Sequence, residues 1–511
     1  MKNHKLTAGL VLALAASALT PSALADLPAR PEQIEFKPLA FTPPNAKDYR
    51  RTLSNGVAVY LAPSKEVPLV SINFTFRGGA YLEPQGKAGL ARMTGSMLRR
   101  GGTATIKPAD LDEEFDFLAA MCMTSVGGTS ASASLNSLTS NLDQSFKLFM
   151  DVIRNPGFDS ERTELLRKEV TEEMKQRNDD ASTIMGREAS AFFWGRDHFE
   201  GRVATKSEID SISIDDMKAF HAKLFQPGNL IIGVTGDFEE SSMLARLEQA
   251  MQGWNKGDKM PDPPAPTNQI KPGVYHVEKD IPQGKFQIMS QGIKRDDPDA
   301  IAIEMMNDVL GGSGFTSRIM NRVRTDEGLA YGAGSGFASR VYYPGQFIAR
   351  FDSKNETCAL AGKIVFEEFN KIRTEKVSPE ELEVVKNAAI ETFPQNFASK
   401  AGFINLFISD EWTNRPADYW QNYRDRVKAV TTDDVLRVAQ RTIDPAKMAV
   451  FIVGKWEPIA KGDVNGRATM QHFTDFFGSE VNHLPLRDPL TDAPLPEQPK
   501  VEGGNETKPT R

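Results

Sequence analysis

The sequence predicts an α+β fold of two homologous layered half-domains, each a largely antiparallel sheet with helices packed on it. In each half, strand patterns come first, helix patterns follow, and an apolar run typical of a buried strand comes last. The two halves also end alike, because residues 213–239 and 431–457 match without a gap. These two observations indicate an internal duplication.

The first half begins with a hairpin and a half-buried strand. Asn55-Gly56 separates the segments 51–53 and 57–61, and this dipeptide favours the tight turn of a hairpin. Apolar residues then alternate with polar ones, which predicts a strand with one face on a core, at Val70, Ile72, Phe74 and Phe76. A helix follows, predicted by the helical spacing of Leu90, Met93, Met97 and Leu98.

The matching ends of the two halves each read as a capped helix followed by a buried strand. Ser213 and Thr431 stand at the N-cap position, and a pair of aspartates follows each of them. Pro227 and Pro445 end the helices, and each apolar run after them ends at a glycine. The same helix-to-strand unit is therefore expected to close both halves.

Composition divides the chain into five segments. Five prolines between Pro261 and Pro272 exclude a continuing helix or a central strand, and indicate an extended spacer. Six prolines and no aromatic residue between Val481 and Arg511 indicate a disordered tail. The predicted segments are a signal peptide (1–25), a first half-domain (45–255), a proline-rich linker (256–273), a second half-domain (274–480) and a disordered tail (481–511).

The first residues of the chain are typical of a secretion signal. Lys2 and Lys5 precede the apolar stretch Leu10–Leu19, and Ala23-Leu24-Ala25 offers a small-x-small cleavage site. We expect cleavage after Ala25 and a periplasmic or secreted protein. The apolar stretch is too short to cross a bilayer and no later run reaches about 20 apolar residues, so no membrane span is predicted.

Charge and cysteine content narrow the function classes further. The 511 residues include 68 acidic and 61 basic ones, a net charge of −7 that gives no electrostatic basis for binding nucleic acid. Two cysteines, Cys122 and Cys358, allow at most one disulfide and form no metal-binding pattern. Their isolation favours two buried free thiols over a bridge.

The run 89–103 resembles the metal-site helix of the insulinase-like (pitrilysin) zinc metallopeptidases, the family that includes mitochondrial processing peptidase. In that family the helix carries the motif HxxEH. The resemblance covers nearly all of the ordered chain, since it extends to residues 197–202, 227–229 and 307–318. It implies a processing-peptidase-like clamshell, in which two subunits of the family's two-chain members close around a peptide-holding chamber.

The zinc ligands of that motif are missing here. Two histidines at i and i+4 share one helix face and can share a zinc, and an acid at i+3 can act on zinc-bound water. This chain has Arg92, Gly95 and Ser96 at those positions. The third family ligand is matched by Glu173, for which a solvated or salt-bridged role is the favoured interpretation. We therefore predict that this chain binds no metal or cofactor.

Gly95 is a second indication that this helix no longer holds a metal. A glycine inside a helix costs about 1 kcal/mol relative to alanine, which suggests a helix no longer optimised around a metal. The other histidines, at positions 198, 221, 276, 472 and 483, show no zinc-ligand spacing. For His198, in a segment that resembles the family, a structural or surface role is favoured.

A second family feature is present. Arg324 and Tyr331, seven residues apart and followed by a glycine-rich stretch, look like the pair that the family's second half contributes across the cavity. The resemblance implies that they bind the substrate and the oxyanion that forms on its carbonyl. The alternative is that Arg324 pairs with Glu327 or Asp326 on a surface loop while Tyr331 packs.

Two glycine-rich segments have their own interpretations. The segment 311–314 follows a helical pattern and lacks a Walker lysine, so a turn between helices is predicted rather than a phosphate site. The segment 127–134 corresponds to a family region beside the site, where an exposed edge strand can accept an extended peptide. An inert polar strand is the alternative there.

Together these features favour the non-zinc subunit of an exported heterodimeric peptidase. Its expected partner is a homologous chain that carries HxxEH and the zinc, and its expected substrates are short peptides or unfolded segments. On this hypothesis the chain is inactive alone and active only in the complex. The alternative is a non-catalytic peptide-binding or scaffold protein of the same fold.

Overall fold

The computed structural model describes residue 30 and residues 40–496. The contacts divide the chain into two units, 1–42 and 43–511, and both halves of the fold lie in the second. The predicted signal peptide, 1–25, lies outside the described residues. Among the described residues, no helix is long and apolar enough to cross a membrane.

The first half contains a six-stranded sheet with the order β1-β2-β6-β3-β5-β4. Neighbouring strands are antiparallel except β2 and β6, which are parallel. Its strands are β1 (Arg50–Thr52), β2 (Ala58–Pro63), β3 (Leu69–Arg77), β4 (Met121–Val126), β5 (Ser130–Leu138) and β6 (Leu230–Gly236). Its helices are α1 (Ala46–Tyr49), α2 (Leu90–Arg100), α3 (Pro108–Phe117), α4 (Leu142–Arg154), α5 (Ser160–Lys175), α6 (Ala181–Trp194), α7 (Lys206–Ser211), α8 (Ile214–Leu224) and α9 (Glu240–Met251).

The second half repeats this plan with the order β12-β7-β11-β8-β10-β9. Its strands are β7 (Gly273–Glu278), β8 (Gln283–Gln291), β9 (Ala330–Ala338), β10 (Gln346–Lys354), β11 (Ala449–Gly454) and β12 (Asn482–Leu484). Its helices are α10 (Ala300–Asn307), α11 (Arg318–Met320), α12 (Cys358–Thr374), α13 (Pro379–Thr392), α14 (Lys400–Trp412), α15 (Tyr419–Ala429), α16 (Thr432–Thr442), α17 (Trp456–Lys461) and α18 (Gln471–Phe477). The predicted α+β class of two homologous halves is confirmed.

The local signals in the sequence correspond to real elements. Gly56 has a positive φ of 92° in the turn that joins β1 to β2. The four alternating apolar residues of β3 are all buried in the core of the first half. Both α8 and α16 begin with a capping box. The hydroxyl of Ser213 or Thr431 accepts a hydrogen bond from the backbone amide of the third helical residue, an aspartate. The side chain of that aspartate accepts in turn from the backbone amide of the serine or threonine.

The two halves exchange equivalent helices. Helix α14 of the second half packs on β2 and β6 of the first sheet, and α6 of the first half packs on β11 and β8 of the second. Gly233 of β6 makes room for α14, because a Cβ there would lie 2.8 Å from Ile408 and 2.9 Å from Ile404. Phe192 of α6 contacts Tyr275 with a ring-centroid distance of 4.3 Å. Each sheet therefore has one face covered by the other half of the chain.

Polar contacts join the halves at the same places. Arg50 donates two hydrogen bonds to Glu411, at 2.8 and 2.7 Å, and the hydroxyl of Tyr60 donates to the same carboxylate at 2.5 Å. The opposite end is joined by Arg340, which donates to both oxygens of Glu200 at 2.9 and 2.6 Å. Charge-assisted pairs of this bidentate kind fix orientation as well as contributing energy.

The prediction of a disordered tail is wrong for residues 482–496. Strand β12 pairs in parallel with β7, and Leu490 packs against the core of the first half. The carbonyl of Leu490 accepts from the backbone amide of Lys206 at 2.7 Å. A proline-rich composition predicted disorder, but contacts with distant parts of the chain order this segment. Residues 497–511 of the predicted tail lie outside the described residues.

The predicted linker, 256–273, contains no helix and enters a strand only at Gly273. It lies against the first half, where Asn268 donates to the carbonyls of Phe192 and Phe193 at 2.7 and 2.9 Å. The boundaries of the two half-domains stay a prediction. Because α6 and α14 are exchanged, one face of each sheet is packed against a helix from the other half.

Candidate functional site

Helix α2 carries the positions that correspond to the family's zinc motif. Its apolar residues are buried against the first sheet, and Arg92 is exposed on the opposite side. Ser96 lies one turn after Arg92 and is half-buried. Because i and i+4 share one helix face, these two side chains stand where two zinc-binding histidines would stand.

The structure brings Arg92 and Glu173 together as an ion pair. The Arg92 guanidinium donates one hydrogen bond of 3.2 Å and a second, shorter one to the two oxygens of Glu173. The side chains are 57% and 61% exposed, so the pair contributes about 0–1 kcal/mol to stability. This confirms the salt-bridged interpretation of Glu173. The positions of the first and third zinc ligands are adjacent, but a guanidinium takes the place of a histidine.

Gly95 faces the edge strand of the first sheet rather than open space. A Cβ at Gly95 would lie 2.8 Å from the carbonyl carbon of Ser125 and still closer to the amide nitrogen of Val126. The Thr124 hydroxyl donates to the Gly95 carbonyl at 2.7 Å. The glycine therefore has a packing role that helix propensity alone does not reveal, since it lets α2 approach the backbone of β4.

The second half repeats this close approach. Gly311 lies in a π-helical segment, Asp308–Gly312, that continues α10. A Cβ at Gly311 would lie 2.6 Å from the amide nitrogen of Ser335 in β9. In both halves a glycine of the matching helical segment therefore contacts the backbone of the outermost strand.

These residues do not fit a zinc ion. An arginine offers no lone pair, a glycine offers no side chain, and a neutral serine is a poor zinc ligand. Among the described residues, no three His, Cys, Asp or Glu side chains form a group that could hold a metal ion. Glu173 alone has the right chemistry, and it is engaged by Arg92.

The structure also brings Arg324 and Tyr331 together. Arg324 lies in a π-helical segment, Asn321–Asp326, and Tyr331 is the second residue of β9. The guanidinium carbon of Arg324 lies 4.9 Å from the Tyr331 ring centroid and 4.5 Å from that of Phe315. Two aromatic rings therefore hold the guanidinium by cation–π contact.

The alternative, in which Arg324 pairs with an acid of its own segment while Tyr331 packs, is wrong. Glu327 pairs with Arg467, at 2.6 Å, rather than with Arg324. Tyr331 is 89% exposed and Phe315 is 69% exposed, so neither ring is packed in a core. Sequence reasoning missed Phe315, because an aromatic residue between a glycine and a threonine carries no periodic signal. The one feature that could have pointed to Phe315 is that it lies in the segment 307–318, which resembles the family.

Tyr331 lines a groove of about 1180 Å³ along β9. The floor of the groove is the outer face of β9 and β10, where Gly334 lies opposite Arg350 and Gly336 opposite Ile348. Strand β9 is the outermost strand of its sheet. The exposed hydroxyl of Tyr331 therefore lies beside a strand edge and an open cleft.

Three further predictions can be compared with the structure. The segment 127–134 is not an edge strand, because β5 lies between β3 and β4, and β4 forms the edge instead. The turn predicted at 311–314 begins later than expected, because Gly311 and Gly312 still belong to the π-helical segment and the chain turns at Ser313–Gly314, with φ 61° at Gly314, before α11. His198 has a structural role, since its Nε2 contacts the Pro264 carbonyl of the linker at 3.0 Å.

Both cysteines are free and buried, as predicted. Burial raises the pKa of Cys122 to about 12 and that of Cys358 to about 12. Buried thiols with so high a pKa are poor nucleophiles near neutral pH, which fits a packing role for both cysteines.

Comparison with known proteins identifies the family. The family described as "Peptidase M16 inactive domain" matches residues 211–389. The "Non-peptidase homolog YmxG" of Helicobacter pylori is 23% identical over 378 residues, which cover 72% of this chain and 85% of that protein. Residues 211–389 therefore match a peptidase M16 inactive domain, and the chain is similar to an M16 relative over 72% of its length. This is the insulinase-like family that its sequence resembles, and the HxxEH motif of that family is replaced here by Arg92, Gly95 and Ser96.

Two further proteins are similar to this chain. A crystal structure of a peptidase M16 inactive domain from Pseudomonas fluorescens has the same fold, with a TM-score of 0.72 at 24% identity. The match covers 80% of this chain and 97% of that one. The "Zinc protease PqqE" of the same Helicobacter pylori strain is 23% identical over 189 residues, which cover 36% of this chain and 42% of that protein.

Proposed function

We propose that this chain is the non-zinc subunit of an exported two-chain M16 peptidase. It contributes Arg324 and Tyr331 to the peptide substrate, while a homologous chain that carries HxxEH contributes the zinc. The observation that carries this proposal is the contact between a half-buried Arg324 and an exposed Tyr331. Arg324 is held between two rings, and Tyr331 lies beside a groove of about 1180 Å³.

The chemistry of peptide hydrolysis explains why such a pair is useful. Attack on a peptide carbonyl develops negative charge on its oxygen, and donors that are already in position lower the barrier. A tyrosine hydroxyl and a guanidinium both donate hydrogen bonds, and the guanidinium also brings charge. Contact with the rings of Phe315 and Tyr331 restricts the Arg324 side chain, which lowers the conformational entropy that it loses on binding.

The known relatives support the idea of two chains. One Helicobacter pylori strain has both a relative named as a non-peptidase homologue and one named as a zinc protease. In such a pair, the chain that lost its zinc ligands would still be under natural selection to keep the residues that contact the substrate. Export rests on the predicted signal peptide, 1–25, with cleavage after Ala25.

The test is peptide cleavage by this chain reconstituted with a homologous chain that carries HxxEH. We expect Arg324→Ala or Tyr331→Phe to slow cleavage by roughly tenfold or more without loss of assembly, because each removes an oxyanion donor. Arg246→Ala is the matched control, because this arginine of α9 lies in the first half, away from Arg324, and pairs there with the exposed Asp143. Unchanged turnover of both site variants would support the scaffold alternative instead.

A further inference from the structure

Residues 482–496 form a strap that crosses from the second half of the chain to the first. The strap begins with β12, which pairs with β7 at the edge of the second sheet. It then lies on the first half, where Asn178 donates to the Arg487 carbonyl at 2.8 Å and Arg177 donates to the Pro489 carbonyl at 3.0 Å. Because β12 has three residues, its end of the strap depends on few contacts.

A histidine pair joins β12 to β7. His276 and His483 lie directly opposite each other in the parallel register, and their Nδ1 atoms are 3.0 Å apart. His276 is 1% exposed, whereas His483 is exposed on the outer strand. The Trp456 ring contacts both imidazoles, with centroid distances of 4.8 and 4.9 Å. The pair is therefore a specific contact between the strap and a buried residue of the sheet.

A third group fixes where the protons of this pair lie. Nε2 of His276 is 2.9 Å from the carbonyl oxygen of Gly454. Because a carbonyl oxygen can only accept, Nε2 carries the proton, and Nδ1 of the neutral ring has a free lone pair. That lone pair accepts a hydrogen bond from Nδ1 of His483. A second proton on His276 would place two donors face to face and remove this bond, whereas a second proton on His483 would leave it intact.

The surroundings of His276 disfavour that second proton. Burial lowers the pKa of His276 from 6.5 to about 4; the Gly454 carbonyl opposes this shift and His483 adds to it. Glu278 lies 3.6 Å from Nε2, but its side chain is 59% exposed and solvent screens its charge. The neutral ring is therefore the stable form while β12 covers it.

The other charged groups near this edge are engaged elsewhere or exposed. Lys455, between β11 and α17, pairs with Asp280 at 3.3 Å, and Glu457 of α17 is exposed. On α18, which also packs on β7, His472 and Asp475 make hydrogen bonds within their own segment. Burial and the strap itself therefore govern the charge of the buried histidine.

We propose that His276 and His483 form an acid-sensitive latch that releases β12, and with it one end of the strap, when His276 gains a second proton. Once β12 leaves, water reaches the ring and its pKa returns toward 6.5. The released state then binds the proton more tightly than the closed state. The latch is therefore closed above about pH 7 and opens as the pH falls from about 6.5 toward 4.

The far end of the strap stays attached in acid. Arg196 donates to Asp492 at 2.5 Å, and burial raises the pKa of this carboxyl. A raised pKa means that the folded chain holds the proton more tightly than the unfolded chain, so this contact is no source of acid instability. The carbonyl contacts of Arg177 and Asn178 do not titrate in this range. Acid therefore opens one end of the strap and leaves the other in place.

The test is hydrogen–deuterium exchange of the full chain at pH 7.5 and pH 4.5, with labelling times scaled to the intrinsic exchange rate. We expect the protection of the β12 amides to fall by about tenfold or more in acid. Strand β1, at the matching edge of the first sheet, is the internal control and should keep its protection. Unchanged protection of β12, or an equal fall in β1, would overturn the proposal.

Three variants locate the acid response. His276→Asn keeps an oxygen that can accept from His483 but cannot titrate, so we expect equal protection of β12 at both pH values. His472→Asn is the matched control on an exposed histidine of α18, and it should keep the acid response. His221→Asn controls for a buried histidine of the first half, whose pKa burial also lowers, and it too should keep the response. A wild-type acid response in His276→Asn would exclude the latch.

A measurement on the wild-type chain does not depend on the folding of any variant. Nitrogen-15 spectra of labelled histidines report which ring nitrogen carries the proton. At pH 7.5 we expect His276 to be protonated at Nε2 and His483 at Nδ1. Both rings protonated at Nε2 would leave no donor between them and would contradict the latch. The result is independent of the catalytic role proposed for Arg324 and Tyr331, because either inference can fail while the other stands.

Discussion

Arg92 and Glu173 form a bidentate ion pair at the two positions that correspond to the first and third zinc ligands of the M16 family. The backbone geometry that brings these positions together is therefore retained, although the metal chemistry is lost. What is missing is two imidazoles at Arg92 and Ser96, and an acid at Gly95.

The first prediction restores the ligands. Arg92→His with Ser96→His places two imidazoles one helical turn apart and frees Glu173, giving two histidines and a glutamate. We expect this variant to bind about one zinc per chain but to cleave no peptide, because it lacks the acid. Elemental analysis after dialysis measures the zinc, and wild type should hold none. Stoichiometric zinc in wild type, or none in the double variant, would contradict this prediction.

The second prediction concerns Gly95. Helix propensity alone predicts that Gly95→Ala stabilises the chain by about 1 kcal/mol. Contact with β4 predicts the opposite, because the new methyl group would overlap backbone atoms of Ser125 and Val126. Since the backbone must shift, we expect the free energy of unfolding to fall by about 1–3 kcal/mol. Denaturant titration measures the change.

Gly186→Ala is the matched control for this prediction. Gly186 also lies inside a helix, α6, but it is exposed and no atom lies within 4 Å of a Cβ built there. We expect this substitution to stabilise the chain by up to about 1 kcal/mol. The same sign for both variants would mean that the contact with β4 does not control Gly95.

Much of the fold could be predicted because its signals are local. The capping boxes at Ser213 and Thr431 and the turn at Gly56 each depend on residues within a few positions of one another. The features that were missed depend on distant contacts. Gly95 is explained by a strand 30 residues later, and residues 482–496 are ordered by pairing with β7 and by contacts with the first half of the chain.

The candidate site shows the same division. The resemblance to the family pointed to Arg324 and Tyr331 as a pair, and the structure places them in contact. The contact of Phe315 with the same guanidinium, and the ion pair of Glu327 with Arg467, depend on the path of the chain in space. No sequence pattern could show which acids would neutralise which bases.

The third prediction follows from the exchanged helices. A fragment that ends at residue 272 lacks α14 and leaves the apolar contact surface of β2 and β6 uncovered. We expect this fragment alone to aggregate, and co-expression with residues 273–511 to recover a folded complex. Size-exclusion chromatography and circular dichroism measure both. A monomeric, folded N-terminal fragment would contradict the importance of this exchange.

The fourth prediction concerns Asp308, the first residue of the π-helical segment after α10. Burial, with a smaller contribution from the charge of Glu304, raises the pKa of Asp308 from 3.8 to about 7. The folded chain therefore holds this proton more tightly than the unfolded chain does. The resulting stability is fully present below about pH 4 and is lost as the pH rises toward 7. Asp308→Asn keeps the shape of the side chain but cannot ionise. We expect its Tm to exceed that of wild type at pH 8 and to match it at pH 4.

Thermal melts between pH 4 and pH 8 measure this difference. The exposed Asp326, in the next π-helical segment, gives the matched control Asp326→Asn, whose Tm should differ from wild type by a similar amount at both pH values. A constant offset for Asp308→Asn would mean that the variant changes packing rather than ionisation. A pH-dependent gain confined to Asp308 would identify this carboxyl as a buried charge that the fold tolerates at neutral pH, next to the glycine, Gly311, that contacts β9.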